Sequence, residues 1–150
     1  MRTSSPAAVS DPLLQTLAEF RYELRRFHHF SEAAAREADL EPQQHQLLLQ
    51  VAGAPAGTAI TIAYAAERLG LKHNSAVELV DRCGREGLIV RAVDAADKRR
   101  AILRVTRKGN QVLARLTRDH ARELNERAPL LVRTLKRVEA HSSAATDSRA

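Results

Sequence analysis

The stretch from Leu71 to Thr106, LKHNSAVELVDRCGREGLIVRAVDAADKRRAILRVT, constrains this chain more than any other. At 100° per residue, Ala76, Leu79, Val80 and Cys83 share one face of a helix. Asn74, Ser75, Glu78, Asp81, Arg82 and Arg85 fall on the other face. Gly87 ends that helix. The runs Leu88-Ile89-Val90 with Val93, and Ala101 to Val105, are β-branched and read as two paired strands. The loop between them holds Asp94 and Asp97-Lys98-Arg99-Arg100. Three consecutive cations repel one another, so stability rarely calls for them at a hairpin tip. An arginine-bearing tip does suit the narrow minor groove of DNA, where the potential is most negative.

Charge reinforces that reading. The net charge is +6, and residues 85–109 alone hold eight cations against three carboxylates. A localised basic patch is the footprint of a polyanion partner, although a solvated charged face is the plainer alternative. A chain of 150 residues suits one domain. Aromatics make up only 3%, with no Trp, so the core is aliphatic. One cysteine excludes an intrachain disulfide and fits a reducing cytoplasm. The longest apolar run, Ala59 to Ala66, is too short to span a membrane, and the N-terminus lacks the apolar segment of a signal peptide.

Around this unit the chain reads as helices. Residues 1–11 and 141–150 are polar and are expected to be disordered tails. Leu13, Leu17, Phe20, Leu24, Phe27 and Ser31 keep heptad spacing in a long first helix starting at Pro12, whose stripe marks either the core or a dimer seam. A second helix starts near Pro42 and stops at Gly53, and Ile60 is placed as a very short strand. Thr61 caps a third helix over Ile62 to Leu69, which Gly70 closes. The short link onward is helix-turn-helix spacing. Thr106 caps a fifth helix striped by Leu113, Leu116, His120 and Leu124. Pro129 is expected to open a sixth, striped by Leu131, Leu135 and Val138.

The helix ending in Val80-Asp81-Arg82, the turn Gly87-Leu88-Ile89-Val90, the wing Asp97-x-Arg99-Arg100 and the start Thr106-x-x-Gly109 occur together in one order. In this the chain resembles the MarR family of winged helix-turn-helix transcriptional regulators, most strongly from Leu69 to Gly109. The resemblance implies a mainly α fold (α+β winged helix). Residues 40–106 would form the DNA-binding lobe, and residues 12–37 and 107–140 a helical dimerisation region from both chain ends. It implies a homodimeric, cytoplasmic regulator of transcription, most simply a repressor, on a pseudo-palindromic site in double-stranded DNA. A small aromatic or phenolic effector would release it.

On the same resemblance, His73, Asn74, Ser75, Glu78 and Arg82 lie near bases or phosphates of the major groove. Lys98, Arg99 and Arg100 lie at the neighbouring minor groove and backbone. Lys72 and Arg107 add phosphate contacts. Asp81 would pair with Arg99 and, with Asp97, orient the wing. Phe27 and His28 are the candidates for an effector pocket. The chain departs from the family pattern at Lys72, where a small hydroxyl residue is usual; Asn74 is the alternative cap, which would start the recognition helix slightly later. Glu41 likewise replaces the usual Thr or Ser.

Other chemistries find less support in the residues. No nucleophile sits beside a base, no carboxylates cluster and no glycine-rich phosphate loop occurs, so the chain is not read as an enzyme. The histidines lack metal-ligand spacing beyond the adjacent pair His28-His29, so neither a metal nor a cofactor is expected. Cys83 lies on the apolar stripe and is expected to be a buried, inert thiol. A winged-helix module that binds protein, or a small-molecule-binding protein without DNA readout, is the alternative function.

Overall fold

The computed structural model describes residues 11–147, with side chains through residue 141. The expected tail segments 1–10 and 148–150 lie outside the described residues. Among the described residues, five helices and two strands follow in the order α1 (Pro12–Glu37), α2 (Pro42–Ala52), α3 (Ile62–Leu69), α4 (His73–Arg85), β1 (Ile89–Val93), β2 (Ala101–Val105) and α5 (Arg107–Asp147). The chain divides into two compact units, one of residues 31–120 and one built from the flanking segments 11–30 and 121–147.

Local chemistry explains the boundaries of the first unit. Thr61 accepts the Tyr64 N–H at 3.1 Å and caps α3, and Gly70 closes that helix at φ 63°. Gln44 Oε1 takes the Glu41 N–H at 2.9 Å, so the unusual Glu41 still serves at the start of α2, in a capping box. The strands pair antiparallel, with Arg91 opposite Leu103 and Val93 opposite Ala101. Ile60 forms no strand, but its carbonyl accepts the Leu103 N–H at 2.8 Å.

The core of this unit is aliphatic. Leu47, Leu48, Val51, Leu79, Val80, Leu88, Ile89, Leu103, Leu113 and Leu116 bury against one another. Cys83 is fully buried among them, and burial pushes its thiol up to about 11. Polar side chains also lie inside this unit: Ser31, Gln44 and His45 are buried. The His45 ring sits 4.7 Å from the His120 ring. His120 Nδ1 lies 2.7 Å from the Leu116 carbonyl and so carries the proton, while Nε2 accepts from the Ser31 hydroxyl at 2.8 Å. Burial first, and the neighbouring His120 second, push His45 down to about 4.

The junction of hairpin and α5 is tight. Thr106 Oγ1 accepts the Gly109 N–H at 3.1 Å and donates to the Gly87 carbonyl at 2.6 Å. Lys108 Nζ donates to the Glu86 carbonyl at 2.8 Å, beyond the end of α4. Gly109 rests on the Leu88 carbonyl, 2.5 Å from where a Cβ would sit. That contact is the physical reason for glycine in Thr106-x-x-Gly109.

The second unit differs from expectation in α5. Pro129 does not open a sixth helix; it lies inside α5, which runs on to Asp147. Pro129 withdraws the N–H that the Asn125 carbonyl would receive. Both residues are exposed, so water replaces the lost donor and the helix continues. Residues 141–147, expected as tail, are the end of this helix.

The apolar stripe of α1 is only partly covered in the single chain. Leu17 is exposed, Leu13, Phe20, Leu24 and Phe27 are half-buried and Ser31 is buried, while beside the stripe Leu14 is exposed and Thr16 and Glu23 are buried. Thr16 and Thr134 satisfy their hydroxyls on the Pro12 and Leu131 carbonyls, each at 2.9 Å. Glu23 receives Arg127 Nη1 at 2.9 Å and Arg26 Nη1 at 3.4 Å, and Arg127 Nε reaches Glu123 at 2.6 Å. A carboxylate this buried persists because the cations meet it there.

Candidate nucleic-acid interface

The helix α4 begins at His73 with Lys72 as N-cap, not at a later residue capped by Asn74. The Lys72 side chain accepts nothing, so the first N–H groups of α4 lack a side-chain cap. Lys72, His73, Asn74, Ser75 and Glu78 are all exposed. Ala76, Leu79, Val80 and Cys83 are buried, as the 100° periodicity requires.

Arg82 is placed differently from the other predicted contacts. It lies half-buried and turns back to Glu41 at the start of α2, Nη2 to Oε2 at 3.4 Å. Its Nε is buried without a hydrogen-bond partner. In the free chain this side chain ties α4 to α2.

The expected pair of Asp81 with Arg99 does not form. Asp81 instead holds Arg91 of β1 through Oδ1 and Nη2. The register explains the exchange. Arg91 alternates with Ile89 on the face of the hairpin that bears Leu103, the core face, whereas Arg99 lies beyond the strand ends. Sequence reasoning missed Arg91. Its signal was a lone cation at an inward position of an otherwise apolar strand.

At the tip, the carboxylates fold the loop around themselves. Asp94 accepts the Ala96 N–H at 2.9 Å and Arg100 Nε at 2.5 Å. Asp97 accepts the Arg99 N–H at 3.0 Å and Arg99 Nε at 3.1 Å. These are Asx-turn bonds extended by an ion pair. The Ala96 N–H and then Arg100 hold the Asp94 carboxyl below its ordinary range; the Arg99 side chain and then its N–H do the same for Asp97. Lys98, Arg99 and Arg100 are exposed, Arg99 at 90% of its side chain. Arg107, the first residue of α5, is also exposed.

Phe27 is half-buried and His28 exposed, with ring centroids 6.3 Å apart. A cavity of about 630 Å³ in the second unit is lined by Thr16, Glu19, Leu130, Arg133, Thr134 and Arg137 among others, and by neither Phe27 nor His28. Among the described residues, no three or more His, Cys, Asp or Glu side chains group as metal ligands. No helix among them is long and apolar enough to cross a membrane.

What this arrangement offers chemically is an exposed polar helix face and a cationic hairpin tip on one unit. Residues 38–100 match the sequence model of the MarR family. Among solved structures, the chain is similar to the transcriptional repressor CouR bound to a 23-mer DNA duplex. The two are 26% identical over 95% of this chain and 99% of that one, with a TM-score of 0.62. It shares its fold with the S. aureus MepR–DNA complex, at 19% identity over 86% and 94% of the chains and a TM-score of 0.66. It shares it also with the PcaV regulator from Streptomyces coelicolor in complex with its natural ligand, at 24% identity over the whole of both chains and a TM-score of 0.56. No curated protein matches by sequence.

Proposed function

We infer that this chain, whose residues 38–100 match the MarR family of winged helix-turn-helix regulators, is a member of that family and a homodimeric transcriptional repressor reading a pseudo-palindromic operator. The observation that carries this reading is the exposed tip of Lys98, Arg99 and Arg100 on the same unit as the exposed first turns of α4. His73, Asn74, Ser75 and Glu78 meet base edges or phosphates in the major groove. Lys72 and Arg107 contact the backbone, and the tip reaches the adjacent minor groove. Arg82 joins them once it leaves Glu41. The protein acts by binding, not by catalysis, in the cytoplasm.

Dimerisation uses the second unit. Leu14, Leu17 and Tyr22 of α1 and Leu124, Val132 and Leu135 of α5 are large apolar side chains left exposed there. A second copy that covers them sets two recognition helices about one helical turn apart, roughly 34 Å. A small aromatic or phenolic anion releases the dimer from DNA, with Phe27 and His28 as its candidate contacts. The ligand complex of PcaV supports looking for such an effector.

Selection of bound duplexes from a random pool tests the reading. A two-fold-related consensus is expected, with affinity that falls steeply between low and physiological salt. Arg99→Ala should weaken that binding by about 1–3 kcal/mol. Recovery of no consensus, together with a flat salt dependence, overturns the proposal.

A further inference from the structure

Four arginines at the candidate interface are each already held by a carboxylate of the same chain. Arg82 meets Glu41 at 3.4 Å, Arg91 meets Asp81, Arg99 meets Asp97 at 3.1 Å and Arg100 meets Asp94 at 2.5 Å. The pairs span α2, α4, β1 and the tip. They are not core ion pairs, because the arginine side chains remain 37–90% exposed. Exposed pairs contribute little to folding. Their larger effect is on what a polyanion meets, since each carboxylate removes one unit of positive charge from the face. A carboxylate is also the nearest side-chain counterpart of a phosphate oxygen pair, and guanidinium engages both in the same way.

We propose that Glu41, Asp81, Asp94 and Asp97 act as internal phosphate substitutes that suppress binding to generic DNA and so set the specificity of the interface. The inference rests on the DNA reading above. Generic binding is driven by Lys and Arg contacts to phosphates and by counterion release. An arginine that must exchange a carboxylate for a phosphate gains no ion pair, and it leaves a bare carboxylate beside the duplex. Only a duplex whose groove also fits α4 adds the base contacts that offset this exchange. The Ala96 N–H and then Arg100 at Asp94, and the Arg99 side chain and then its N–H at Asp97, hold both carboxyls below their ordinary range, so both are ionised at neutral pH.

The test uses the full chain, the duplex selected by the parent protein and a scrambled duplex of equal length, titrated between 50 and 200 mM salt. Glu41→Gln and Asp94→Asn carry it, because each keeps a side-chain oxygen that can accept the local backbone N–H while losing the charge. Each should bind the scrambled duplex more tightly than the parent at 50 mM. Each should also steepen the salt slope by about 0.9, the value of one added phosphate contact, which is a further loss of about 3.5-fold across this range. The selected duplex should gain less, so the specificity ratio falls. Glu41→Asp, which keeps the charge, should restore parent behaviour, and a melting curve confirms that each variant folds. Scrambled-duplex binding that is unchanged or weaker in both folded variants overturns the inference while the DNA reading stands. A parent protein that selects no sequence removes the reading itself, and the inference with it.

Discussion

Gly109→Ala should destabilise this protein, against the usual direction of such a change in a helix. Gly109 lies in the first turn of α5, where helix propensity alone favours alanine by up to about 1 kcal/mol. Here a Cβ would stand 2.5 Å from the Leu88 carbonyl oxygen and 2.6 Å from Val105 Cγ1. An acceptable carbon–oxygen contact is about 3.3 Å, so a shift of about 0.8 Å is needed. Neither neighbour yields easily. The Leu88 carbonyl is fixed by the Thr106 N–H at 3.0 Å, and Val105 is stiff at χ1 within β2. Overpacking of this kind costs about 1–3 kcal/mol; set against the gain of up to about 1 kcal/mol from propensity, it leaves a net loss of about 1 kcal/mol. For a chain of this size that lowers the melting temperature by about 2–4 °C. Gly84→Ala is the control. It lies exposed in α4, with its nearest contact an ordinary 3.9 Å to the Ile89 carbonyl, and should gain about 0.5–1 kcal/mol. Thermal unfolding followed by circular dichroism, at one fixed protein concentration, measures both. If Gly109→Ala melts at or above the parent, the close packing of α5 on the Leu88 turn is wrong.

Acid should weaken the first unit through His45. Its value in the folded chain is about 4 against an ordinary 6.5, so the folded state favours the neutral ring. Stability from this group is complete above pH 6.5 and falls as pH drops toward 4, by up to about 1.4 kcal/mol per unit; denaturant titrations at pH 7 and 5 measure the slope, which His45→Leu should reduce. Cys83 should resist alkylation at neutral pH in the native protein and react on unfolding, because its thiol is buried and raised to about 11. Rapid native labelling, read by mass spectrometry, would contradict that placement. Arg127→Met strips Glu23 of its closest cation and should cost about 3 kcal/mol in urea unfolding, whereas a neutral effect would mean that water reaches Glu23.

Much of the winged-helix unit was legible because its signals are local. Thr61, Gly70, Thr106 and Gly87 act within a few residues of themselves, and both strands read directly from their β-branched runs. The misses are pairings between segments. Arg91, not Arg99, reaches Asp81, and only the register of β1 against β2 decides this. His45 and His120 meet across a separation no periodicity reveals. Pro129 was misread for a different reason. Proline usually marks a helix start, but its penalty depends on whether the freed carbonyl reaches water, and that is a property of the folded surface. Of the candidate site, the exposed polar face of α4 and the tip follow from sequence, while the carboxylate partners of its arginines do not.

The junction at the Leu88 carbonyl also bears on the order in which the chain assembles. The bonds that close it span 18 to 22 residues: Thr106 to Leu88, Thr106 to Gly87 and Lys108 to Glu86. The ties between chain ends are of another kind. Ser31 to His120 spans 89 residues and Glu23 to Arg127 spans 104. Loop closure grows entropically dearer with length, so the segment from α4 to the first turn of α5 can form before either end finds its partner. Folding of this chain should therefore begin between α4 and the first turn of α5, and the helices from its two ends should be the last to join.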